Sequence, residues 1–189
     1  TTMTEKLANE LKLSPIYESV DDNPYLSDFY EDMKRWSFNL QIYFLYKRFS
    51  NQIELLSSDK GFIQDRSLYE DKEIFARNLK DLKLMSNRDW ETYKNLFNEI
   101  TKFLKKPDLI VYLKASTDTL ISRINNRKRD FEKEISSEYI HSLNIYYNQW
   151  ISKLPKHKVL IIDTNNFNIF KDHDKFKIIQ DNIIKKLSL

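Results

Sequence analysis

In the stretch WSFNLQIYFLYKR, which covers residues 36–48, Phe38, Gln41, Leu45 and Arg48 stand at i, i+3, i+7 and i+10. That spacing puts them on one face of a helix. Two polar groups on an otherwise apolar stripe need partners if the stripe turns inward. Gln41 brings one acceptor and two donors, which suits the edge of a nucleobase. Arg48 can pair with a carboxylate and still offer donors to a ligand, and Asp71 is a candidate for that carboxylate. The same pattern also describes a buried structural hydrogen-bond pair.

A second set of charges closes four short apolar runs, 15–17, 61–63, 109–113 and 159–162. Glu18 follows the first, Asp65 and Arg66 the second, Lys114 the third and Asp163 the fourth. If the runs are parallel strands, these residues outline a polar rim beyond the carboxyl ends, where ligands of open α/β sheets bind. Charges also simply terminate buried strands, and Lys114 and Asp163 need no more than that. In RINNRKRDFE, residues 123–132, Arg123 and Arg127 lie one helical turn apart, with Arg129 and Glu132 beyond. Planar guanidinium forks so spaced can hold phosphate oxygens, and they equally make an ordinary solvated face. Ser67 and Glu70 have capping-box spacing and are assigned to starting a helix.

The elements that must position these groups follow from periodicity. Helical patterns run near 2–12, 25–56, 67–81, 87–105, 117–128, 136–153 and 171–187. Apolar runs alternating with helices predict an α/β fold on a parallel sheet, and the last two runs are unalternating, as strands covered on both faces are. The chain has 189 residues, 41% hydrophobic and 14% aromatic, enough for one domain with a real core. No cysteine is present, which excludes disulfides, thiol catalysis and Cys-zinc sites. Three scattered histidines, His141, His157 and His173, read as surface. A net charge of +3, from 31 basic and 28 acidic residues, is too mild and too interleaved for a nucleic-acid module. No apolar run approaches a membrane span and no signal peptide is visible, so a cytoplasmic protein is expected. The single glycine, Gly61, means that no Gly-rich phosphate loop exists in these residues.

Taken together, ESV, NPYLSDFYEDMKRWSFNLQIYFLYKR, DRSLYED and RINNRKRDFE resemble the deoxynucleoside kinases, in particular the bacterial deoxyadenosine/deoxycytidine branch, with deoxyguanosine kinases as relatives. The resemblance runs from Thr1 to the region of Trp150. It implies a P-loop-kinase-like three-layer α/β/α fold with an Arg-rich lid near 123–135, working as a homodimer in nucleotide salvage. It further implies ATP-dependent 5′-phosphorylation of deoxyadenosine first, then deoxycytidine or deoxyguanosine, with Mg2+. Residue by residue, Glu18 matches the general base toward the 5′-hydroxyl and Arg66 the phosphate-side arginine. Tyr30 and Glu132 match the pair on the sugar 3′-hydroxyl. Gln41 matches the base reader, and Arg48 with Asp71 the charged pair beside the base. Trp36 and Phe38 match pocket-lining positions, which also suit plain core. Arg123, Arg127 and Arg129 match lid arginines on the ATP phosphates, Asp65 a magnesium-linked acid, and Thr1 the hydroxyl that closes the phosphate loop and touches the metal.

The departure from the family lies at the start. The first strand and its G-x-x-G-x-G-K-[ST] loop are absent from these residues, which predicts roughly 15–25 residues ahead of Thr1 that carry them. A central strand missing from the sheet would leave ladder groups unpaired on its neighbours. Three rivals stand beside the kinase reading. A nucleoside monophosphate kinase would need basic groups near Glu18, where ESVDDNPYL is acidic. A nucleic-acid-binding module would gather its basic residues on one face. A non-catalytic remnant would lack the phosphate loop outright.

Overall fold

The computed structural model describes residues 1–18, 23–56, 60–127, 129 and 135–187. The chain forms two compact units, one drawn from residues 1–105 and the other from 106–129 and 136–189.

In the first unit, α1 (Thr2–Leu11) buries Thr4, Leu7 and Ala8 along one face. It ends at Lys12, whose φ of 55° is left-handed, a position that glycine usually takes. The chain turns into β1 (Ser14–Ile16), which pairs in parallel with β2 (Phe62–Gln64) in the register Ser14–Phe62, Pro15–Ile63 and Ile16–Gln64. Gly61 stands where a Cβ would lie 2.8 Å from Leu13 Cδ2, so the close approach of the two segments favours the smallest residue.

The predicted helix over 25–56 is two helices, α2 (Leu26–Glu31) and α3 (Met33–Leu56). Asp32 breaks it, with φ −140° and ψ 83°. Its carboxylate then accepts the Arg35 N–H at 3.0 Å, an N-cap that restarts the chain as a new helix. The segment predicted as one helix over 67–81 is α4 (Leu68–Glu70), a π-helical turn (Asp71–Ala76) and α5 (Arg77–Asp81). Glu70 Oε2 accepts the Ser67 N–H at 2.6 Å, the capping-box bond expected of that pair. Then α6 (Asn87–Ile100) starts at Ser86, which caps the Asp89 N–H, and buries Tyr93 and Phe97. The core of this unit joins Leu7, Leu40, Leu45, Leu68, Ile74, Leu79 and Tyr93.

In the second unit, β3 (Ile110–Lys114) pairs in parallel with β4 (Val159–Asp163) over five residues. Lys114 and Asp163, expected just beyond their strands, are the last residue of each and face one another in the register. Around the pair run α7 (Thr117–Arg127), α8 (Ser137–Lys153) and α9 (His173–Leu187). The core here comprises Tyr112, Ile140, Trp150, Ile151, Val159, Ile162, Ile179 and Ile183. Among the described residues, no helix is long and apolar enough to cross a membrane.

Candidate active site

The inward stripe of α3 is half polar. Ser37, Gln41, Arg48 and Gln52 are all buried on the same turn-by-turn line as Leu40 and Leu45. Buried polar groups must be hydrogen-bonded or pay their desolvation, so each of the four asks for a partner. Ser37 donates to the Leu84 carbonyl at 2.8 Å, and Gln52 to Gln64 Oε1 at 2.8 Å. Arg48 has two partners. Its Nε donates to Asp71 Oδ2 at 2.6 Å, and its Nη2 to Glu18 Oε1 at 2.8 Å. Gln41 is different: its side chain is 3% exposed, yet Oε1 has no hydrogen-bond partner among the described residues. An acceptor carried to that depth and left open suits a donor brought by a ligand.

Glu18 stands two residues past the end of β1. Arg66 Nη1 comes within 3.3 Å of the same Oε1 that Arg48 holds. Oε2 takes no hydrogen bond among the described residues. Burial alone would raise the proton affinity of Glu18; Arg66 and Arg48 outweigh it and hold the carboxyl below the usual range. Glu18 is therefore an anion with one oxygen anchored and one open among the described residues.

Arg66 follows β2 with a φ of 65°, in the left-handed region that a non-glycine residue rarely adopts. Such a conformation costs about 1–3 kcal/mol and persists where the surroundings fix it. Here the guanidinium is fixed on Glu18 and lies over the Phe75 ring, 4.6 Å from its centroid. Asp65, its neighbour, accepts the Thr1 hydroxyl at 3.0 Å. This places an alcohol and a carboxylate oxygen side by side. Both are hard oxygen ligands of the kind Mg2+ takes beside substrate phosphates, with the Thr1 ammonium on the same Oδ2 at 2.5 Å.

Asp71 opens the π-helical turn and is 1% exposed. Its own burial pushes it up to about 6 even against Arg48. Arg48 moves the other way in terms of charge. Although burial opposes it, Asp71 and Glu18 hold it more firmly protonated than usual. The asymmetry has a physical cause: Asp71 has exchanged its water for one guanidinium, while that guanidinium has two anions. Wide turns of this kind recur at functional sites, and nothing in the periodicity announces one.

Two further residues beside this cluster were not foreseen. Tyr93 of α6 is fully buried, and its hydroxyl has no hydrogen-bond partner among the described residues. Burial first, and then the negative Asp71, raise it well above the usual tyrosine range. Its spacing with Trp90 and Phe97 reads as plain core. Phe75 lies four residues after Asp71, and only the Arg66 contact singles it out.

The other predicted residues fall as follows. Tyr30 of α2 is half-buried, with its ring 5.2 Å from Phe29. Trp36 is half-buried between the Arg35 guanidinium, at 4.4 Å, and Tyr25, at 5.9 Å, and Phe38 is half-buried on α3. Glu132 lies outside the described residues. So does most of the predicted lid beyond Arg129. Arg123, Arg127 and Arg129 belong to the second unit. Arg123 Nη1 donates to Thr164 Oγ1 at 3.1 Å and Nη2 donates to the Thr164 carbonyl. Of the two remaining strand-end charges, Asp163 accepts the Asn165 N–H at 2.9 Å, closing a local turn. The Lys114 backbone carbonyl accepts from Thr164, through N–H at 2.8 Å and Oγ1 at 3.0 Å.

A half-buried anion with one oxygen open among the described residues, flanked by two arginines near a strand end, is equipment suited to a group-transfer site acting on an alcohol. The family model for deoxynucleoside kinases matches residues 1–187, and the chain belongs to that family. It is 38% identical over 185 residues to the deoxyadenosine/deoxycytidine kinase of Bacillus subtilis, covering 97% of this chain and 85% of that one. It is 35% identical over 196 residues to a deoxyguanosine kinase of Lactobacillus acidophilus, covering 99% and 85%. A solved structure of a deoxyadenosine kinase from M. mycoides, with the products dCMP and a flexible dCDP bound, superposes with a TM-score of 0.86 at 28% identity. It covers 97% of this chain and 92% of that one.

Proposed function

We propose that this kinase transfers the γ-phosphoryl group of ATP, or another nucleoside triphosphate, to the 5′-hydroxyl of a deoxynucleoside. The observation that carries the reading is Glu18, a half-buried anion held on two arginines with Oε2 left open among the described residues. That oxygen accepts the 5′-hydroxyl proton as the O5′–P bond forms and the bond from γ-phosphorus to the bridging oxygen breaks, which releases the nucleoside diphosphate. Arg66 neutralises charge on the transferred group. The open Oε1 of Gln41 and the Arg48–Asp71 pair read the base, Tyr30 and Glu132 hold the 3′-hydroxyl, and Trp36 and Phe38 line the pocket. Arg127 and Arg129, with Arg123 as the third lid arginine, act on the donor phosphates. Mg2+ would be held by Asp65 and the Thr1 hydroxyl and would supply neutralisation of the β and γ phosphates.

Deoxyadenosine is the first substrate in this reading, followed by deoxycytidine and deoxyguanosine, in keeping with the names of the relatives. Residues 1–189 act as one kinase domain with a lid near 123–135, as a homodimer in the cytoplasm, in nucleotide salvage. The test is a kinase assay over the four deoxynucleosides with the full-length protein. Conversion to 5′-monophosphates, with the highest kcat/KM for deoxyadenosine, is expected; no product from any of the four would overturn the reading. In the same assay Asp71→Ala shifts which bases are accepted.

A further inference from the structure

The geometry points to a second task for Asp71: it is a positioning residue for the proton-accepting step, because by taking one edge of Arg48 it aims that guanidinium at Glu18 and limits the share of its charge that Glu18 feels. The inference rests on the reading of Glu18 as the general base.

Asp71, Arg48 and Glu18 form one continuous chain of two charge-assisted bonds, 2.6 Å and 2.8 Å, through a single planar group. The guanidinium is rigid, so the Nε edge held by Asp71 fixes the direction of Nη2. Arg48 is 4% exposed and Asp71 1%, so water screens the bond between them little, and the bond to half-buried Glu18 somewhat more. Other groups bear on the two carboxylates. Arg66 and, more weakly, Asp65 act on Glu18, from the segment after β2. Glu70, from the preceding residue, acts on Asp71, and Asp71 in turn acts on Tyr93 of α6. Among the described residues, only Arg48 bonds both carboxylates. A residue at the base-reading end therefore bears on the atom that receives the sugar's proton. Removing the charge of Asp71 would leave Arg48 and Arg66 acting on Glu18 without that counterweight, making Glu18 a weaker base.

The test is the single-turnover rate of phosphoryl transfer at saturating substrates, followed against pH for the wild type, Asp71→Asn and Asp71→Glu. Asn keeps the shape and an acceptor for Nε but removes the charge. Above pH about 6, where Asp71 carries its charge, the rate is expected to fall roughly three- to tenfold for every deoxynucleoside the enzyme accepts; below it, where Asp71 takes up its own proton, the wild-type and Asp71→Asn rates are expected to converge. Asp71→Glu keeps the charge but displaces it by a methylene. Its rate should fall alike for every base, with the pH dependence near 6 retained. An Asp71→Asn rate equal to wild type above pH about 6, or lowered by one constant factor at every pH, would overturn the proposal and leave Asp71 as a reader of the base alone. If Asp71→Asn does not fold, Asp71→Glu decides: a uniform loss supports the coupling, and a loss confined to one base overturns it. A wild type that phosphorylates no deoxynucleoside overturns the functional reading and the coupling with it, an outcome distinct from an unchanged or pH-independent rate ratio.

Discussion

The two parallel strand pairs end in opposite ways. Past β1 and β2, in the first unit, buried Arg48 and Asp71 and half-buried Glu18 and Arg66 are drawn into one cluster. Their charges answer each other, yet Glu18 Oε2 and Gln41 Oε1 stay open among the described residues. Past β3 and β4, in the second unit, Thr164 and Asn165 consume what is offered. Thr164 binds the Lys114 carbonyl and receives Arg123, while Asn165 Oδ1 accepts the Ser116 N–H at 2.8 Å and the Thr119 hydroxyl at 3.0 Å. The same rule, that buried polar groups find partners, yields a finished joint in one place and an unfinished one in the other. Strand-end charge alone therefore says little; what remains unpaired after the fold has taken its share is what distinguishes the first joint from the second.

That contrast can be broken or sharpened by substitution. Arg48→Met should have the largest effect on stability, because it leaves Asp71 buried without its cation. Breaking a buried pair costs about 3–5 kcal/mol, so a large drop in the urea midpoint is expected; a midpoint within error of wild type would show that the cluster is not buried as described. A subtler effect is a pH dependence. The folded-state value for Asp71, about 6, lies above its unfolded value, so its contribution to stability is present at low pH and lost as pH rises from about 4 through about 6. Glu18 acts the other way: held low in the folded state, it contributes above the ordinary carboxylate range and loses that contribution as pH falls through its depressed value. Denaturation of wild type and Asp71→Asn between pH 4 and 7 should show the variant gaining on wild type as pH rises; parallel curves would contradict the raised value. The smallest effect belongs to the finished joint. Thr164→Val removes the hydroxyl between Arg123 and Lys114 and should cost about 1 kcal/mol. Calorimetry should find deoxynucleoside binding unchanged.

Much of this could be read before the fold was seen, for reasons that differ by residue. The four strands lie within a residue of the apolar runs, because short apolar stretches bounded by polar residues mark them; the expectation that the last two are covered on both faces does not hold, since Leu113 is 40% and Ile161 55% exposed. The Ser67–Glu70 box was legible because its spacing is local. Asp32 carried an equally local signal, an N-cap residue ahead of a helix, but the continuous periodicity around it hid the break. The π-helical turn at Asp71 has no signature in side-chain type, since it arises from how α4 and α5 must meet the rest of the unit. Arg48 could be paired with Asp71 from residue types, whereas its bond to Glu18, 30 positions away, required the fold. Thr164 as the partner of Arg123, 41 positions off, was out of reach for the same reason. Tyr93 looked like core, and what distinguishes it is a buried hydroxyl beside a charged pair with no partner among the described residues.

The central claim is that Glu18, anchored by one oxygen and open at the other, is the proton acceptor. Glu18→Gln keeps the shape and removes the basicity. Single-turnover phosphoryl transfer by this variant, measured with deoxyadenosine and ATP beside calorimetric nucleoside affinity, is the direct test. The account predicts a rate lower by about 10²–10⁴-fold, the usual worth of general base catalysis, with affinity within a few-fold of wild type. A rate within twofold of wild type would contradict it.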